Sequence, residues 1–307
     1  MNTTTRRKAK TTPRDPYQEI TDRVIAALEN GLIPWQRPVA GINTPAYNYV
    51  SGKAYRGLNF LMLNFMSPHT QRAYLSFNQA KALGGKIRKG SKSQKVYFFK
   101  MLYRDAHGEQ LTEIRARELM DRGVKVDGTP FLRFTPVFSV EDVEGVDFDL
   151  PQVQTFKHDP VQAAEILVAA INQGPEIETQ AGNANYYLPT SDKIVMYPRE
   201  RYRSREAYYG TLFHELTHAT GHTDRLNREG IAQVDTSDRI KYAREELIAE
   251  MGAAFLCART GIDPGIDNTA AYVGGWLKAL ENDKMLVYRA AAEAQKAVDW
   301  LTGEQRK

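Results

Sequence analysis

Phe213-His214-Glu215-Leu216-Thr217-His218 is a His-Glu-x-x-His run, set between Ser204, a helix-capping residue, and Gly221, a helix terminator. On a helix, histidines four apart share one face, one turn apart. That spacing lets two imidazoles hold one Zn²⁺ while Glu215 reaches the metal's open side. Zinc would lower the pKa of a water held there, and Glu215 would take its proton as it attacks a carbonyl. The chain has only six histidines. The run would arise by chance in on the order of one in a hundred such chains, so two ordinary histidines on a half-buried helix are the weaker reading.

A zinc site needs a third protein ligand. The strongest source is Glu245-Glu246-Leu247-Ile248-Ala249-Glu250, where Glu246 and Glu250 lie four apart on one helix face. One would bind metal, and the other would accept a hydrogen bond from a ligand histidine's second nitrogen. Ala249, Ala253 and Ala254 point to tight packing on that face. Glu245, about 100° round the helix, is a weaker choice. A rival is Asp224, six residues after His218, which completes His-Glu-x-x-His-x-x-Gly-x-x-Asp. His222, beyond the glycine break, is badly spaced. The two-helix order resembles the gluzincin metallopeptidases. That resemblance makes Glu246 the ligand and Glu250 the partner of His214. Tyr208, Tyr209, Tyr242 and His222 are candidates to stabilise an oxyanion, with none preferred. A hairpin over 186–197 would offer an edge strand to an extended peptide.

Composition bounds the setting. The 307 residues suit two domains, and 42% hydrophobic with 25% charged is ordinary for a globular chain. The single cysteine, Cys257, allows no internal disulfide and no cysteine-based zinc site, and it suits a cytoplasmic protein. No apolar run approaches a membrane span, and the basic N-terminus lacks a signal peptide's apolar core. The charge is divided. Residues 1–140 hold 23 Lys+Arg against 10 Asp+Glu, a net of +13, which leaves −9 for the rest of a chain of net +4. No acid occurs between Glu29 and Asp105. The first half is therefore built to meet a polyanion.

The predicted fold class is α+β, in two domains. A mobile basic arm covers 1–14. A single-stranded-DNA-binding domain covers 15–141, with a helix opening at Asp15-Pro16, a short helix from Ser76, and strands at 96–101 and 131–140. A linker follows at 142–159. A mostly helical, zincin-like metallopeptidase domain with a small sheet covers 160–307.

The binding candidates fall in the acid-free stretch. Residues 30–104 hold twelve Lys or Arg and twelve aromatics. Cations neutralise phosphates and rings stack on unpaired bases, a mixture that favours single-stranded over duplex DNA. Trp35 and Tyr55 are the stacking candidates, beside Arg37, Lys53 and Arg56. Phe98 and Phe99, inside a strand, are expected in the core. Lys86, Arg88, Lys89, Lys92 and Lys95 make the strongest phosphate loop, although Gly90-Ser91 is not a P-loop ending.

Taken together, the two halves resemble the ArdC family of plasmid antirestriction proteins. The N-terminal motifs are Ile33-Pro34-Trp35, Lys53-Ala54-Tyr55-Arg56-Gly57-Leu58-Asn59, Phe77 to Gly85, Ile87-Arg88-Lys89-Gly90 and Val96 to Lys100, then Val137 to Glu141. The C-terminal ones are Phe213 to His222, Arg225-Leu226 and Glu245 to Glu250. The resemblance implies single-stranded DNA binding, a zinc-metallopeptidase-like domain, and protection of incoming conjugative DNA from host restriction endonucleases. Zn²⁺ is the expected cofactor, with Mn²⁺ or another divalent ion as alternatives. Single-stranded DNA is the expected partner, a host nuclease is a candidate protein substrate, and no membrane is involved. The first half also resembles part of plasmid transfer primases, but no primase catalytic region is evident.

Overall fold

A computed structural model of the chain describes residues 15–36, 45–150, 159–182, 184–232, 239–263 and 270–304. The expected arm, Arg37 and residues 151–158 of the expected linker lie outside the described residues.

Helix α1 (Pro16–Glu29) starts where Asp15 Oδ1 accepts the Tyr17 N–H at 3.0 Å, with proline in the first turn. It buries Tyr17, Ile20, Val24 and Leu28 at helical spacing. A tight turn, Pro34–Gln36, follows. Strand β1 (Tyr47–Asn48) precedes α2 (Leu58–Phe60), which widens into a π turn over Leu61–Phe65. Next come β2 (Ala73–Leu75) and α3 (Phe77–Ala82), which Ser76 and Gln79 close with a reciprocal capping box. After β3 (Lys86–Ile87) come the long β4 (Gln94–Arg104), β5 (Gln110–Leu111), α4 (Glu113–Asp121), the long β6 (Asp127–Ser139) and β7 (Val143–Glu144).

A five-stranded sheet has the order β1-β2-β6-β4-β5. Its spine is the antiparallel β4–β6 ribbon, in register from Gln94↔Val137 to Arg104↔Asp127. The structured first half runs past residue 141. Val143 and Glu144, expected in a linker, pair with Ile87 and Lys86. A Cβ on Gly85 would stand 2.7 Å from both Val143 and Val146, so only glycine admits this closure.

The second half opens with α5 (Pro160–Ala169) and the sheet β8 (Glu176–Thr179), β9 (Tyr186–Leu188) and β10 (Lys193–Met196), with β10 central. Helix α6 (Arg205–Ala219) carries the His-Glu-x-x-His run and is capped by Ser204. Then follow α7 (Glu229–Ala232), α8 (Arg239–Thr260), α9 (Ala270–Asn282) and α10 (Leu286–Thr302). The architecture is α+β. No helix among the described residues is long and apolar enough to cross a membrane.

One hydrophobic core draws on both halves. Ile20, Val24, Leu28, Trp35 and Phe60 join Phe255, Trp276, Ala290 and Val298. The Trp35 ring meets Trp276 edge-on at 5.3 Å, and Phe60 meets Phe255 at 4.7 Å. Trp35 is only 2% exposed. The expectation of a ring open to a DNA base is corrected here: α9 and α10 present apolar faces that the first half covers. Helices α6 and α8 approach closely because residue 252 is glycine. A Cβ there would fall 2.5 Å from the Thr217 side chain. That contact brings Glu246 and Glu250 of α8 beside the histidines of α6.

Candidate metal centre

His214 and His218 project from α6 with their Nε2 atoms 3.1 Å apart. Glu246 comes from α8. Its Oε2 lies 3.5 Å from His214 Nε2, and its Oε1 lies 3.4 Å from His218 Nε2. In a tetrahedral site, metal–ligand bonds of about 2.0–2.1 Å place ligand atoms about 3.3–3.4 Å apart. Two imidazole nitrogens and the Glu246 carboxylate thus converge at separations close to those a small divalent ion imposes. They are the one group of this kind among the described residues.

The outer atoms are also held. His214 Nδ1 lies 3.6 Å from Glu250 Oε1. His218 Nδ1 lies 3.4 Å from Glu245 Oε1. Each histidine therefore turns its Nε2 inward and has a carboxylate on its Nδ1 side, the arrangement that in metal sites orients the ring and sets its tautomer. By helical spacing Glu245 is the weaker ligand choice, and it is not one of the three converging residues. It is the backing of the second histidine, a role that was not foreseen. Arg228 locks it: Nη2 donates to Glu245 Oε1 at 2.6 Å, and Nε to Oε2 at 3.1 Å. Arg228 also donates to Thr220 Oγ1 and to the Thr217 carbonyl, both at 2.7 Å. It therefore ties the end of α6 to α8. Behind Glu250, Gln36 Nε2 donates to Oε2 at 3.3 Å, so a residue of the first half completes the outer shell.

Burial opposes charge on both histidines, yet Glu246 and the other nearby carboxylates raise His214, and Glu245 and Glu246 push His218 up to about 10. Burial also opposes charge on Glu246, but the two histidines hold its carboxyl well below the usual range. Metal ligands must be deprotonated, so an ion entering at neutral pH displaces protons. For Glu250 burial prevails, and its carboxyl rises above the ordinary carboxylate value.

Asp224, the rival ligand, has a side chain 87% exposed and turned towards His222, with Oδ2 3.7 Å from its Nδ1. Tyr209 donates to Glu165 at 3.0 Å, and Tyr208 is stacked under Arg199, so both hydroxyl-bearing rings have structural work.

Sequence profiles match both halves. One, the N-terminal domain of anti-restriction factor ArdC, covers residues 14–138, and a zincin-like metallopeptidase profile covers 162–293. The crystal structure of the antirestriction ArdC protein from plasmid R388, metal-free, superposes with a TM-score of 0.73 at 35% identity, over 95% of this chain and 100% of that one. Its Mn(II)-bound form gives 0.72 at 36% identity, over 94% and 97%. The chain belongs to the ArdC family. It is also 31% identical to the protein y4eC of Sinorhizobium fredii, over 96% of this chain and 94% of that one. It is 33% identical, over 98% of its length, to an Escherichia coli DNA primase TraC, but spans only 21% of that protein. A second TraC is matched at 32% identity over 95% of this chain and 27% of that protein. In this family setting the zincin-like half implies a divalent metal, and the His214, His218 and Glu246 donor set fits one.

The DNA candidates are spread over different surroundings. Lys53, Lys86, Lys89 and Lys92 are exposed. Arg88 donates to the Glu141 carbonyl at 2.8 Å, which anchors the loop. Tyr55 is half-buried against the small cluster around Tyr74 and Val137. Arg56 pairs with Asp299 and joins the first half to α10, and Lys95 pairs with Glu19 at 2.5 Å and joins β4 to α1.

The outer shell gives a direct test. Replacing Glu250 with alanine is expected to weaken metal binding by about 10–100-fold. Gln36→Ala, one bond further out, should weaken it less but in the same direction. Competition against a chromogenic chelator measures both. Wild-type affinity in Glu250→Ala would remove the outer-shell role.

Proposed function

We propose that this protein binds single-stranded DNA in the cytoplasm and protects incoming plasmid DNA from host restriction endonucleases. The observation that carries the reading is the basic loop, displayed on an ArdC-family fold in a stretch without acids. Lys86, Lys89 and Lys92 stand exposed on it, and the Arg88 contact and a bond from Ser91 to Asp142 at 3.0 Å keep it in place. Fixed cations and backbone N–H groups in such a loop suit phosphates. The test replaces Lys86, Lys89 and Lys92 with alanine together and leaves the Arg88 anchor in place. Affinity for a labelled single-stranded oligonucleotide should fall, and the log–log salt slope should flatten by roughly two units, at about 0.7 per phosphate contact. Unchanged affinity and slope would remove the loop from the DNA site. Primase activity is not part of the proposal, since the chain spans about a quarter or less of the TraC primases.

A second reading, a zinc protease acting on a DNA-bound protein such as a host nuclease, is favoured by Glu215. The residue is 6% exposed, and among the described residues its carboxylate forms no ion pair with a histidine or an arginine. It is thus unlike Glu245, Glu246 and Glu250, which are all engaged. When bound by His214, His218 and Glu246, Zn²⁺ or another divalent ion supplies Lewis acidity and a more acidic water. The chain's own contribution is Glu215, a base one residue beyond a ligand. Strand β9 is an edge of its sheet, available to an extended peptide.

A further inference from the structure

One face of the β4–β6 ribbon is open over part of its length: Val96 and Val137, near one end, are buried, and the residues further along are not. Successive strand residues point to opposite sides, and directly paired residues share a side. Phe98 pairs with Arg133, and Lys100 with Phe131. These four side chains form a two-by-two block with aromatic and cation alternating both along and across the strands. All four are exposed, Phe98 by 47% and Phe131 by 45%. On the opposite side, Phe99 meets Tyr288 of α10 at 5.3 Å, Lys95 reaches Glu19 of α1, and Leu132 is buried. The ribbon is therefore anchored through this side, on which Phe99 and Phe134 remain partly open, while the Phe98–Phe131 block on the other side has no such anchor and stands in solvent.

Two large apolar rings on an open strand face cost solubility unless something covers them. The alternation identifies the covering group. A protein partner's apolar patch would have to desolvate Lys100 and Arg133 beside each ring. A single nucleic-acid strand needs no such sacrifice, because its bases want the rings and its phosphates want the cations. Diagonal neighbours in an antiparallel pair sit about 7–8 Å apart, which leaves Phe98 and Phe131 room to take separate bases. Within β4 and β6 the only acid is Asp127, at the far end opposite Arg104.

We infer that Phe98, Lys100, Phe131 and Arg133 form a stacking platform for unpaired bases, separate from the phosphate-binding loop and working with it. The inference rests on the single-stranded DNA reading above and gives it a base-contacting surface. It also supplies the stacking that buried Trp35 does not.

The test uses the full chain, a fluorescent single-stranded oligonucleotide and four proteins: wild type, Phe98→Leu/Phe131→Leu, Lys100→Gln/Arg133→Gln, and the basic-loop triple variant. Leucine keeps apolar surface and removes the π face. The leucine variant should bind about 5- to 150-fold more weakly per stacked base, with an unchanged salt slope. The glutamine variant should flatten the slope by about 0.7 for each contact. Circular dichroism and metal binding should match wild type in both. If the leucine variant binds like wild type while the loop variant fails, the platform is wrong and the DNA reading stands. If wild type itself does not bind, both fall. A shift from dimer to monomer in the leucine variant, with DNA affinity kept, would also overturn the platform in favour of self-association.

Discussion

Replacing Arg228 with methionine is expected to lower stability by about 3–5 kcal/mol, the cost of leaving one partner of a buried ion pair unpaired. The guanidinium is 6% exposed, and Glu245 beneath it is equally enclosed. Four of its hydrogen bonds are at 3.1 Å or shorter, two to Glu245 and two to the end of α6. Methionine fills much of the space but leaves the Glu245 carboxylate with only His218, and it leaves the Thr217 carbonyl with one donor, Thr220 Oγ1 at 2.6 Å, in place of two. In the wild type, burial pushes the Glu245 carboxyl up, but His218 and Arg228 together bring it below its ordinary value. A carboxyl held down in the folded state contributes stability above its unfolded pKa and loses it as pH falls through the folded one. Without Arg228 much of that contribution disappears, so the deficit should be largest near neutral pH and shrink in acid. Urea denaturation at two pH values measures it. The double variant Arg228→Met/Glu245→Leu should recover much of the lost stability, because no charge is then stranded. It should not recover metal affinity, since His218 would still lack its backing carboxylate. Recovery of both would mean that Glu245 serves the fold alone.

Arg228 also marks where sequence reasoning stops. Helical periodicity places residues four apart on one face, and this made His214, His218, Glu246 and Glu250 legible as a set. It treats a helix as having one functional face. A histidine has two nitrogens on different sides, and His218 uses both: Glu246 lies by one and Glu245, round the helix, by the other. Gln36 reaches Glu250 across 214 positions of sequence, and Arg228 comes from a connection with no period. No local pattern encodes either contact. Exposure is set by equally distant contacts. Trp35 sits in a loop, where a ring open to solvent is a reasonable expectation, yet Trp276 of a distant helix covers it. Phe98 and Phe99 sit in an apolar strand, where burial is the natural expectation, yet both are exposed, because little packs over either side of the middle of the ribbon. Whether an aromatic is core or surface depended on what lay opposite, and that is set by topology rather than by neighbours in sequence.

Glu215→Gln is expected to reduce any peptidase activity by roughly 10²–10⁴-fold, the usual contribution of a general base. The amide has nearly the same shape and cannot take a proton at neutral pH. The three metal-facing residues are His214, His218 and Glu246, and their outer partners are Glu245 and Glu250, so the substitution leaves that set whole. Metal content and affinity should therefore match wild type. The contrasting variant is Glu246→Ala, which removes a ligand and should reduce metal affinity and activity together. Comparing the two separates a base from a ligand, since only the ligand variant moves metal binding. Single-stranded DNA affinity and protection from a restriction endonuclease should be measured on the same proteins. If Glu215→Gln loses proteolysis yet protects DNA fully, binding carries protection and the metal centre serves a separate step. If protection falls with proteolysis, the protease reading gains the main role. Unchanged proteolysis in Glu215→Gln would sink the mechanism outright, because Glu215 is the nearby carboxylate that is not paired with a histidine or an arginine among the described residues.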